Sequence, residues 1–121
     1  MTSTAHSLFQ WLSAFGWPVY QANDVPADAE LPYITCSVSE PEHDQKASFY
    51  IQCWDRSKSN SSVLAKADEI VREIGVGLRV RQDGGWLVLW PESPLVQLMP
   101  DGDVRSAYIN LSINAYHCPG T

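Results

Sequence analysis

Residues 104–116 alternate apolar and polar side chains along almost their whole length. Ala107, Ile109, Leu111, Ile113 and Ala115 fall on one parity, and Ser106, Tyr108, Asn110, Ser112, Asn114 and Tyr116 on the other. Only a β-strand sends successive side chains to opposite sides, so the pattern predicts a long strand with one face against a core. A strand cannot bury that face alone. The chain has to supply neighbouring strands and a covering layer.

Two neighbours are legible upstream. Ile34, Cys36 and Val38 alternate with Tyr33, Thr35, Ser37 and Ser39, and Ala47, Phe49, Ile51 and Cys53 alternate with Ser48, Tyr50, Gln52 and Trp54. The polar stretch Glu40–Lys46 between them reads as a hairpin connection, which makes the two strands antiparallel neighbours. Further on, Leu78 and Val80 alternate with Arg79 and Arg81, Asp83-Gly84-Gly85 signals a turn, and the run Trp86–Trp90 completes a second hairpin. Pro91 and Pro94 then interrupt the chain before a weak strand over Leu95–Met99, and Pro100-Asp101-Gly102-Asp103 marks another turn. Pro18–Ala22 is a candidate short strand, and Asp24–Pro32 reads as a loop.

The covering layer is helical. Val63, Leu64, Ala67, Ile70, Val71 and Ile74 form one continuous apolar stripe at helical spacing, with Lys66, Asp68, Glu69, Arg72 and Glu73 left facing water. Ser59 or Asn60 is placed to cap this helix and Gly75 or Gly77 to end it. An earlier helix carries Leu8, Phe9, Leu12 and Phe15, is capped by Ser3 or Thr4, and stops at Gly16 and Pro18. Trp11 lies off that stripe, so the helix buries a wide face or exposes an aromatic. The expectation is one α+β domain over residues 1–121: a mainly antiparallel or mixed sheet of about five to six strands with two helices packed on one face.

Charge narrows the function. The net charge is −6, and the eight Lys and Arg residues are scattered, with no cluster beyond Arg79 and Arg81. This argues against gripping a phosphate backbone, which calls for a basic stripe. It is compatible with surrounding DNA, because like charge lets a polyanion slide past. No apolar run approaches the roughly 20 residues of a membrane helix. The opening Met-Thr-Ser-Thr-Ala-His lacks the features of a secretory signal, so the cytoplasm is the expected compartment. Cys36, Cys53 and Cys118 have no paired spacing, and the first two sit on apolar parities. Buried free thiols are expected rather than a disulfide framework or a zinc site.

Residues suited to chemistry do not converge. His6, His43 and His117 are dispersed. Glu40-Pro41-Glu42-His43-Asp44 has metal-binding side chains but reads first as a solvated acidic loop, Asp101-Gly102-Asp103 as a tight turn, and Asp68/Glu69 as an exposed helical face. No nucleophile elbow, Walker loop or dinucleotide fingerprint is present, so no catalytic residue, cofactor or metal is assigned.

The residues that stand out are aromatic and lie where a sheet covered on one side should be plainly polar. Tyr33, Tyr50, Trp54, Tyr108 and Tyr116 occupy the non-core parity, and Trp86 and Trp90 oppose Leu87 and Leu89. One reading is that good strand formers are covered there by a loop. The other is a subunit contact surface, since amphipathic aromatics concentrate where proteins meet.

Taken in order, a leading helix is followed by Leu31-Pro32-Tyr33-Ile34-Thr35 and a strand ending Tyr50-Ile51-Gln52-Cys53-Trp54-Asp55-Arg56-Ser57. The helix Ala65-Lys66-Ala67-Asp68-Glu69-Ile70 and the closing strand Ser106-Ala107-Tyr108-Ile109-Asn110-Leu111-Ser112-Ile113 come next. This arrangement resembles the tail-terminator and tail-completion proteins of long-tailed bacteriophages, the lambda-like terminators among them, over about residues 5–117. The resemblance implies a non-enzymatic structural part. Such proteins form a ring, usually a hexamer, that caps the tail tube and presents a surface to the head. Its partners would be further copies of itself, the major tail tube protein and a head-completion or connector protein, with no specific nucleic-acid or membrane binding. It would be found in the host cytoplasm during assembly and then in the virion tail or neck. Two other classes stay open: a small ligand-binding or enzymatic α+β domain whose aromatic face lines a pocket, and a generic bacterial adaptor subunit.

Overall fold

The alternating run at the end of the chain is strand β6 (Val104–His117), lying between β3 (Lys46–Arg56) and β5 (Gly85–Asp101). The computed structural model describes residues 4–38, 46–57, 59–82 and 84–117. Around the central strands are helix α1 (Thr4–Ser13), strands β1 (Val19–Gln21) and β2 (Tyr33–Val38), helix α2 (Ser61–Ile74) and strand β4 (Leu78–Gln82). The six strands form one curled sheet in the order β1-β2-β3-β6-β5-β4. All neighbours are antiparallel except β1, which runs parallel to β2, so the sheet is mixed.

Register brings the apolar parities into line. Ile34 pairs with Cys53 and Cys53 with Ala107; Cys36 pairs with Ile51 and Ile51 with Ile109; Leu89 and Leu87 face Ile113 and Ala115. These side chains join Leu8 and Leu12 of α1 and Val63, Ala67, Ile70 and Ile74 of α2 in one buried cluster. Helix α2 packs on β3, β5 and β6, whereas α1 contacts the two outer strands, β1 and β4. Trp11 is partly buried against this core and meets Phe15 edge-on at 5.4 Å, which resolves its position off the stripe.

Two expectations for α2 change. Leu64 is 46 % exposed, while the Lys66 side chain is only 13 % exposed. Lys66 points toward the turn after α1, donating to the Phe15 carbonyl at 2.7 Å and to Glu69 Oε2 at 3.0 Å, with its ammonium 5.2 Å from the Trp17 ring centre. Its long stem covers apolar surface while its head stays paired. Capping is also divided. Asn60 holds the N-cap position without a side-chain bond, and the Ser59 hydroxyl accepts the Ser61 N–H at 3.3 Å. At the other end Gly75, at φ 56°, donates its N–H to the Val71 carbonyl. That left-handed backbone favours glycine.

The separate weak strand expected over Leu95–Met99 is part of β5, which continues through Pro91 and Pro94 with an irregularity between Pro91 and Val96. Its pairing with β4 reaches only Leu89, so among the described residues the prolines lie where β5 has no paired strand on its outer side. A residue without an N–H is tolerated on such an edge. The hairpin connection, apart from Lys46, lies outside the described residues, as does Cys118.

Burial pushes the Cys36 and Cys53 thiols up to about 12 from an ordinary 9.0. Both are free. Unfolded thiols ionise first, so the stability these two contribute is complete below about pH 9 and is lost as the pH rises toward about 12. A Cys36→Ala/Cys53→Ala chain should therefore show a shallower alkaline fall in unfolding free energy, measured by urea titration across that window. In the same assay Ile70→Ala should cost about 2–5 kcal/mol and Ile70→Asp should prevent folding. Leu64→Ala should stay within about 0.5 kcal/mol.

Candidate contact face of the sheet

The parity opposite the core is continuous across the strands. Tyr20, on β1, pairs in register with Thr35; Tyr33 pairs with Trp54, Gln52 with Tyr108, Trp86 with Tyr116 and Trp90 with Ser112. All seven aromatics singled out from the sequence (Tyr33, Tyr50, Trp54, Trp86, Trp90, Tyr108 and Tyr116) therefore lie on this parity, with Tyr20 as an eighth. The short strand carrying Tyr20 gives no alternation of its own, so its side could be read only from the register.

The rings form local groups rather than one continuous stack. Tyr20 meets Tyr33 edge-on at 5.6 Å, and Tyr33 lies 6.5 Å from Trp54. Tyr50 and Tyr108 are 5.5 Å apart at the centre of the sheet. Burial, with Tyr50 as a second cause, pushes the Tyr108 phenol above its ordinary range. At the far end the guanidinium carbons of Arg79 and Arg81 lie 5.4 and 5.7 Å from the Trp86 ring centre. The aromatic pairs, at such ring separations, contribute about 0.5–1.5 kcal/mol each beyond area burial. Trp90 is 36 % exposed; the others are half-buried.

Small polar residues between the rings are more buried than plain alternation predicts. Thr35, Ser106, Ser112 and Asn114 are all buried. Each is bonded to a residue on this face or to the edge of β5. Trp54 Nε1 donates to Thr35 Oγ1 at 2.9 Å, Gln52 Nε2 to Ser106 Oγ at 3.0 Å, Trp90 Nε1 to Asn114 Oδ1 at 2.9 Å, and Ser112 Oγ to Glu92 Oε1 at 2.8 Å. Asn110 Nδ2 donates to the Pro94 carbonyl at 2.6 Å, tying down the irregular part of β5. Trp90 is also fixed from below, because a Cβ at Gly77 would come within 3.0 Å of its ring. Two of these bonds hold Trp54 and Trp90 at set positions, and the others fix the polar groups between the rings. Their signal in the sequence was the Ser, Thr and Asn on the aromatic parity, but which polar residue serves which ring depends on register.

Hollows border the face. One of about 380 Å³, beside the irregularity in β5, is lined by Lys46, Ser48, Tyr50, Glu92, Asn110 and Ser112. A wider one of about 730 Å³ lies where Glu30, Tyr33, Trp54 and Arg56 meet. Among the described residues no three His, Cys, Asp or Glu side chains gather in a way that would hold a metal ion. The loop containing His43 lies outside those residues. Chemically, the face offers rings, amides, hydroxyls and two guanidinium groups, an assortment suited to non-covalent contact.

No protein-family model and no curated protein matches the chain.

If the hydrogen bonds hold the rings, Trp54→Phe and Thr35→Val should be coupled. A double-mutant cycle read by urea unfolding should give an interaction energy of about 1 kcal/mol, with Trp54→Phe alone the costlier change because it leaves a buried hydroxyl unpaired. Additive effects would mean that the Trp54–Thr35 bond contributes nothing.

Proposed function

We propose that the chain is a ring-forming structural subunit of a long-tailed bacteriophage, one that caps the tail tube and joins it to the head. In this reading both helices cover the same side of the sheet, which leaves the aromatic side to meet another copy. The observation that carries it is that side itself. Eight Tyr and Trp residues lie there on one parity, half-buried or exposed, and two of them, Trp54 and Trp90, are held by hydrogen bonds to the buried Thr35 and Asn114. Anchored aromatics of this kind are the groups that carry binding energy at protein interfaces. The helices' shared side is supported by Leu8 and Leu12 lying in the same buried cluster as Val63, Ala67, Ile70 and Ile74.

Closing a ring needs a contact between two different surfaces of neighbouring copies, and a sheet face with unlike ends suits that geometry. The acidic balance of the chain suits a passage for DNA. Among the described residues no helix is long and apolar enough to cross a membrane. The proposed location is the host cytoplasm during assembly and then the virion tail or neck, with the tail tube protein and a head connector as neighbours.

A second reading draws on the 380 Å³ hollow, whose size falls within the range of small-molecule sites. Its lining sets Lys46, Glu92, Asn110 and Ser112 beside Ala47, Leu111 and one aromatic, Tyr50, which suits a small amphipathic ligand rather than one stacked among several rings.

Chromatography with light scattering, at several concentrations and with and without tail tubes, separates the two. The phage reading predicts a ring, or a monomer that assembles on tubes, and Tyr108→Ala should weaken that assembly more than tenfold, roughly the effect of losing an interface anchor. The same change should cost the fold no more than about 0.5–1.5 kcal/mol, the contribution of its ring pair with Tyr50. A strict monomer under all conditions would overturn it. So would a Tyr108→Ala chain destabilised by about 3–5 kcal/mol, which would make the residue part of a core.

A further inference from the structure

The aromatic face has unlike charges at its two ends. At the β4 end, Arg79 and Arg81 are exposed, and both guanidinium groups lie close to the Trp86 ring. At the β1 end, the loop between β1 and β2 carries Asp24, Asp28 and Glu30 with no Lys or Arg over residues 22–32. All three carboxylates are exposed, and Glu30 borders the hollow beside Tyr33 and Trp54. The ion pairs formed among the described residues join Arg56 to Asp103, Lys66 to Glu69 and Arg72 to Asp68, and none takes up these five groups. Unlike charges thus sit at opposite ends of a six-strand order, on a chain whose net charge of −6 otherwise makes copies repel.

We infer that the Arg79–Trp86–Arg81 cluster of one copy receives the Asp24–Glu30 loop of another copy. Charge complementarity selects this occupant. The two guanidinium groups are braced on an indole, which spares part of the entropy lost when long side chains are fixed, and their donors fit carboxylates two at a time. The match fixes which end of a copy meets which, because the reverse docking brings like charges together. This rests on the reading that the face meets a second copy, and it adds the orientation of that contact.

The test is a charge exchange followed by sedimentation velocity, alone and with tail tubes, at low and high salt. Arg79→Glu/Arg81→Glu should lower the association constant about a hundredfold, and Asp24→Lys/Asp28→Lys/Glu30→Lys likewise, as turning attraction into repulsion at an interface does. Each variant should stay folded. The carboxylate variant should keep the wild-type thermal midpoint, since its three side chains are exposed. The Arg79→Glu/Arg81→Glu chain should melt only slightly lower, through loss of its two contacts with the Trp86 ring. Mixing the two variants should restore association to within about tenfold of wild type, and added salt should weaken the wild-type contact. Wild-type association that neither variant alters, or variants that fail singly and also when mixed, would overturn the inference while leaving self-association through the aromatic rings intact. No association of the wild type under any condition would overturn both. Retention of duplex DNA by a non-associating wild type, lost in Arg79→Glu/Arg81→Glu, would overturn it in favour of a phosphate partner.

Discussion

A slip of one residue between β6 and β3 would turn Ile109, Leu111 and Ile113 away from Ile51, Phe49 and Ala47 and bring Tyr108, Asn110 and Ser112 into the core. Strand β6 has neighbours on both sides, so its register fixes β3 on one side and β5 on the other, and through them β2 and β4. The burial of one parity by α2 keeps that register in place. Ile70, fully buried over the sheet, would otherwise lose its contacts with it. The same constraint places the aromatic residues, because whatever holds the apolar parity inward holds Tyr50, Tyr108 and Trp54 outward.

The outward side is therefore built by the same pairing as the core. Its rings are set by hydrogen bonds to Thr35 and Asn114, by the close approach of Trp90 to Gly77, and by the guanidinium groups beside Trp86. A face held by so many local contacts loses little side-chain freedom when another surface covers it, and the cost of ordering side chains is one of the main terms opposing association. The charged ends add direction to that surface, which rings alone would leave ambiguous.

How far this was legible in the sequence follows from which interactions are local. Alternation in β2, β3 and β6, the stripe of α2 and the turn at Gly84 depend on near neighbours in the chain and could be read directly. So could the seven aromatics on one parity. Leu64 and Lys66 were misjudged because helical spacing gives a direction but not the distance to what lies beyond: Lys66 finds the Phe15 carbonyl and the Trp17 ring, and Leu64 finds water. Pro91 and Pro94 read as a break because the outer edge of β5 becomes apparent only once β4 is known to stop at its pairing with Leu89. The burial of Ser106, Ser112 and Asn114, and the membership of Tyr20 in the face, likewise depend on pairing between strands distant in sequence.

The central claim, that this face meets another copy, is tested most directly on the chain's five tryptophans. Trp54, Trp86 and Trp90 lie on the outward parity, while Trp11 and Trp17 lie in or just after α1. A dilution series followed by the indole N–H signals in nitrogen-15 spectra, without and with tail tubes, separates the two groups. The account predicts that the signals of Trp54, Trp86 and Trp90 shift or broaden as the chain assembles, while those of Trp11 and Trp17 hold their positions. Assembly that moves the Trp11 and Trp17 signals and leaves the other three unchanged would contradict it.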